Sequence, residues 1–95
     1  MEHVPCFLVE WYRPELIEEP YEHAVTTLSA CAKSMSAEGS SVELVSLLAV
    51  PTDDTLFGIF TADSASVVAQ ICDRAGMPAQ RLTAAADIPL PPIHR

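Results

Sequence analysis

Two small groups of side chains in this sequence have the types and spacing to do chemistry. The first is a metal-ligating pair. His23 follows Glu19 by four residues, so a helix would carry both on one face, with Glu22 adding a nearby carboxylate. Nickel or zinc asks for nitrogen or sulfur donors in a closed set, so a third ligand would come from His3, His94 or another chain. The plain alternative is a solvated acidic helix face with an incidental histidine. The second group would bind a small molecule. Trp11, Tyr12, Phe57 and Phe60 would line a cavity, Arg13 would offer a planar fork to an anion, and Glu10 sits inside an otherwise apolar strand. A desolvated carboxylate there would be pushed up in pKa and could act as a base. The plain alternative is core aromatics with Glu10 paired or wet.

Other chemistry has no foothold. The sequence holds no HExxH, no GxSxG and no glycine-rich phosphate loop, and its three glycines do not cluster. Cys6, Cys31 and Cys72 lack a CxxC spacing and fall in apolar segments, which points to free thiols in a reducing compartment. No catalytic residue is assigned.

The elements that must position these residues can be read in order. Val4–Tyr12 alternates as a strand, with Phe7, Val9 and Trp11 on one side and Cys6, Leu8 and Glu10 on the other. Leu16–Ala37 reads as a helix with Pro20 in its first turn and Gly39 as its stop. Ser41–Val50 is a strand with apolar residues in both alternating sets, Val42, Leu44 and Leu48 against Val45, Leu47 and Ala49, which implies cover on both sides. Residues 51–55 form a turn into a third strand, Leu56–Thr61. Asp63 or Ser64 caps a second helix that Gly76 ends. Ala84–Ile88 makes a weak last strand, and the proline-rich stretch 89–95 is an extended tail.

The order β-α-β-β-α-β predicts a ferredoxin-like α+β domain over residues 1–95, a four-stranded antiparallel sheet with two helices on one face. The other face is then bare. Three strands carry apolar residues pointing both ways, and 49% of the chain is hydrophobic, more than 95 residues readily bury. A bare apolar face of that size predicts a homodimer packed sheet to sheet, a dimeric α+β barrel, with the tail folded back over the sheet as the other way to cover it. Which strand set faces outward is open at this level.

Charge narrows the partners. Thirteen acidic and five basic residues give −8, which excludes a cationic nucleic-acid footprint and disfavours an anionic membrane surface. Leu47–Val50 is far too short an apolar run to span a bilayer, and Glu2 and His3 stand where a secretory leader would be basic. The expected location is the cytoplasm.

Several segments resemble a known family. Phe7–Glu10 (FLVE), Thr52–Asp54 with Phe57 and Phe60, and Arg74–Leu82 (RAGMPAQRL) are similar to those of small ferredoxin-like domains of unassigned function, among them an actinobacterial nickel-binding protein. The likeness spans most of the chain apart from the first helix and the tail. It implies the ferredoxin-like fold, a dimer and a nickel-type metal. The chain departs from the pattern at Ile71, where the family usually has histidine, and at Gly58, where it usually has cysteine. Together these readings predict a non-enzymatic dimeric module for a small ligand or metal ion. The alternative is a cofactor-less monooxygenase- or isomerase-like enzyme with Glu10 or His23 as base.

Overall fold

A computed structural model describes residues 5–12, 21–86 and 88. The elements are β1 (Cys6–Trp11), α1 (Tyr21–Ala37), β2 (Val42–Val50), a 3-10 turn (Pro51–Asp53), β3 (Thr55–Ala62), α2 (Ala65–Arg74) and β4 (Arg81–Ala85). The strands form one antiparallel sheet in the order β2-β3-β1-β4. This is the ferredoxin-like α+β arrangement that the sequence predicts. Arg13, Glu19, the predicted first turns of helix at 16–20 and the tail at 89–95 lie outside the described residues.

Local chemistry explains the boundaries. Both helices end in one device. The N–H of Ser40 donates to the carbonyl of Met35 and that of Gly39 to Ser36, and Met77 and Gly76 repeat this with Cys72 and Asp73. The pattern needs a left-handed residue after the helix, and Gly39 and Gly76 supply it at φ 106° and 73°. Of the two predicted caps, Ser64 is the one used, its hydroxyl accepting from Val67 N–H at 3.4 Å. Asp54 takes φ 50° to leave the β2–β3 turn, and the Thr55 hydroxyl is satisfied by the Asp53 carbonyl.

One layer of core lies between sheet and helices. Ala24, Leu28, Ala32 and Met35 of α1 and Val68, Ile71 and Cys72 of α2 face Phe7, Val9 and Trp11 of β1 and Leu56, Phe60 and Ala62 of β3. Trp11 is its centre. The indole is fully buried and donates Nε1–H to the Met77 carbonyl at 2.7 Å. It lies over Gly58, where an added Cβ would come within 2.9 Å of the ring.

Two elements differ from the sequence reading. β4 runs Arg81–Ala85, not Ala84–Ile88, because pairing rather than propensity sets it. Gln80 N–H donates to the Glu10 carbonyl, and the strand then opposes Glu10 with Arg81 and Cys6 with Ala85. β2 does not keep the strict alternation read from its sequence. A bulge at Val45 shifts the register between Leu44 and Ser46. Val42 and Leu44 before it, and Leu47 and Ala49 after it, therefore all pack on the helix-side core. Members of both apolar sets thus serve one face, while Leu48 stands on the open face and Val45 at the bulge is exposed.

Candidate functional site

With Phe7, Val9 and Trp11 turned to the helices, alternation sends Cys6, Leu8 and Glu10 to the open face. The register arranges that face in rows. Leu48, Phe57, Glu10 and Arg81 stand side by side across β2, β3, β1 and β4. The next row is Ser46, Ile59, Leu8 and Thr83, and a third holds Glu43, Thr61, Cys6 and Ala85. Leu48 and Ile59 are among the exposed large apolar residues.

The polar corner of the face is built by the ends of β1 and β4. The Tyr12 hydroxyl donates to Glu10 Oε1, and Arg81 Nε stands 3.6 Å from Glu10 Oε2. Behind them the Tyr12 backbone N–H donates to the Gln80 side chain. The Glu10 side chain is only 15% exposed and that of Arg81 66%, so the acid is the embedded partner and the guanidinium the accessible one. The Tyr12 phenol is held above its ordinary value, first by its hydrogen bond to the Glu10 carboxylate, then by desolvation and the Glu10 charge; Arg81 opposes them.

The six residues of the predicted small-molecule site do not gather on one side of the sheet. Glu10, Tyr12 and Phe57 share the open-face corner. Trp11 and Phe60 are fully buried on the helix side, and Arg13 lies outside the described residues. Strand alternation makes this split: residues 10 and 12 must point one way and 11 the other, and 57 and 60 are an odd number apart. Arg81, quoted in the sequence only as part of the Arg74–Leu82 segment and not as a site residue, completes the corner because β4 starts earlier than propensity suggests.

Of the metal pair, His23 is exposed near the start of α1, and Glu19 lies outside the described residues. Among the described residues no three His, Cys, Asp or Glu side chains cluster as metal ligands. The positions where the resembled family carries histidine and cysteine are core here: Ile71 is fully buried, and Gly58 is roofed by the Trp11 ring. Burial pushes the Cys72 thiol up to about 12, with the Asp73 charge adding to it, so it stays protonated and unreactive at neutral pH.

A cleft of about 390 Å³ lies elsewhere, between Ala32, Lys33 and Ser36 of α1 and Val42, Glu43 and Leu44 of β2. Beside it the Ser36 hydroxyl bonds both the carbonyl and the N–H of Val42, at 3.1 and 3.4 Å. That closes the start of the edge strand against further pairing.

The fold defines the protein as a ferredoxin-like α+β domain, and comparison with solved structures agrees. The crystal structure of SCO4226 from Streptomyces coelicolor A3(2) superposes with a TM-score of 0.61 at 17% sequence identity, over 92% of this chain and 99% of that one. At that identity the likeness is one of fold. No protein-family model matches the chain, and no curated protein does. Among the described residues no helix is long and apolar enough to cross a membrane.

Proposed function

We propose that the protein is a cytoplasmic, homodimeric binding module that packs open face to open face and holds a small ligand at the margin of that interface. The observation that carries this is the composition of the face. Leu8, Phe57, Ile59 and Leu48 stand on the side away from both helices, and one end of their rows is the Glu10–Tyr12–Arg81 corner. A second copy is the simplest cover for such a surface, since the same patch meets itself about a two-fold axis. Edge-to-edge pairing through β2 is the less favoured route, because Ser36 and the Val45 bulge blunt that edge. Glu10 serves in this reading as an anchor for Tyr12 and Arg81 rather than as a catalytic base.

Light scattering on the eluting peak of a gel-filtration column tests the assembly. Wild type at micromolar concentration is expected to run as a dimer. Ile59→Glu, which places a charge in the middle row of the face, is expected to run as a folded monomer. A wild-type monomer, or an Ile59→Glu dimer, would remove the basis of this reading.

A further inference from the structure

We propose that the ligand is an amphipathic carboxylate, its acid head on the terminal nitrogens of Arg81 at the rim of the face and its apolar body slipped between the covering copy and Leu8, toward Ile59. This deepens the reading of the open face as the recognition surface and rests on it.

The argument starts from two arginines in different circumstances. Arg74, at the end of α2, has its terminal edge occupied: its two terminal nitrogens donate to the two oxygens of Glu38 at 3.0 and 3.1 Å. Arg81 is engaged differently. Its ion pair runs through Nε at a long 3.6 Å, and its side chain is 66% exposed. A guanidinium carries five N–H groups in a planar fork, so a carboxylate on one edge leaves the terminal edge able to take a second one. Glu10 then fixes the direction of the fork. Among the described residues Arg81 is the lysine or arginine on the open face; Lys33 belongs to α1 and Arg74 to α2.

The apolar path lies beside it. Arg81 is the first residue of β4, an outer strand, so it occupies a corner that a second copy centred on the face leaves reachable. Leu8 and Ile59 stand in the adjoining row, on the next two strands inward. Strands lie 4.7–4.9 Å apart and rise about 3.3 Å per residue, so the diagonal from Arg81 to Ile59, two strands over and two residues along, is about 12 Å. That distance suits a short hydrocarbon chain. The choice of a monoacid follows from charge: a body carrying −8 repels polyanions, whereas one carboxylate can be met by one guanidinium while an apolar tail supplies the rest.

Calorimetric titration of the full chain with decanoate and decanol tests this, with light scattering on the same samples. Wild type is expected to take up decanoate at least about tenfold more tightly than decanol, the difference a charge-assisted hydrogen-bonded head supplies. Arg81→Gln is expected to bind the two alike, and Arg81→Lys to fall between, because it keeps the charge without the fork. Circular dichroism confirms that each variant is folded. Equal binding of the two probes by wild type, or a decanoate preference that survives in Arg81→Gln, overturns the inference. A wild-type dimer that takes up no decanoate overturns it while leaving the assembly intact. A monomer that still selects decanoate through Arg81 does the reverse.

Discussion

The two faces of this sheet are made by the same strands and yet do different physical work. On the helix side β1 presents Phe7, Val9 and Trp11, all buried, and the Trp11 indole finds its partner in the Met77 carbonyl. On the open side the same strand presents Cys6, Leu8 and Glu10, all half-buried, and the polar groups answer one another through Tyr12 and Arg81. The first face has traded water for close packing, which makes it intolerant of change. The second keeps side chains that water still reaches, and those are the ones a partner or ligand can desolvate. Stability should therefore be concentrated in one set of alternating residues and recognition in the other.

The largest expected effect is at the centre of the covered face. Trp11→Ala removes the largest fully buried side chain and leaves a cavity over Gly58, so chemical denaturation should show a loss of about 3–5 kcal/mol. A loss below about 1 kcal/mol would mean that the core is organised elsewhere.

Neighbours in one strand sharpen the contrast. Val9 is fully buried and Leu8 is not. Val9→Ala should cost about 2 kcal/mol in a folding measurement made at a concentration where assembly does not contribute. Leu8→Ala, though it deletes more carbon, should cost less than half of that and should weaken self-association instead. If Leu8→Ala proves the more destabilising in dilute solution, the division of labour between the faces is wrong.

Much of this architecture is legible from residues alone. The glycine stops at 39 and 76, the serine cap at 64 and the alternation of β1 carry their meaning locally, because each answers a backbone requirement within a few positions. What sequence cannot carry is register. Nothing in VELVSLLAV announces that Val45 is the extra residue, yet that one bulge moves Leu47 and Ala49 to the same side as Val42 and Leu44. The bulge removes apolar residues that the pattern assigns to the bare face, leaving that face smaller and more mixed than alternation implies. The candidate site fails to be legible for a similar reason. Glu10 and Tyr12 stand out in sequence, but Arg81 enters only through its pairing opposite Glu10, a contact between positions far apart in the chain. The buried aromatics Trp11 and Phe60 look like pocket lining until strand alternation is applied to them.

The finest test of the open face is a titration of Tyr12. Its phenol donates to an embedded carboxylate, and Glu10 as hydrogen-bond acceptor is the largest cause of its raised pKa. The raised value means that the fold favours the protonated phenol. Its contribution to stability is thus complete below the ordinary tyrosine value of 10.0 and is lost as pH climbs through the higher folded value. The residue is solvent-exposed, so the consequence for stability is small, and the signal to follow is the absorbance of the phenolate. In a Tyr21→Phe background, which leaves Tyr12 as the one tyrosine, the wild-type transition should lie above the ordinary value. Glu10→Gln should bring it down, since an amide neither repels the phenolate nor competes for its proton as strongly. Arg81→Gln should move it the opposite way, because the guanidinium favours the phenolate. Opposite shifts from those two substitutions would establish the three side chains as one electrostatic unit. A transition that ignores both would dissolve the corner into three independent surface residues.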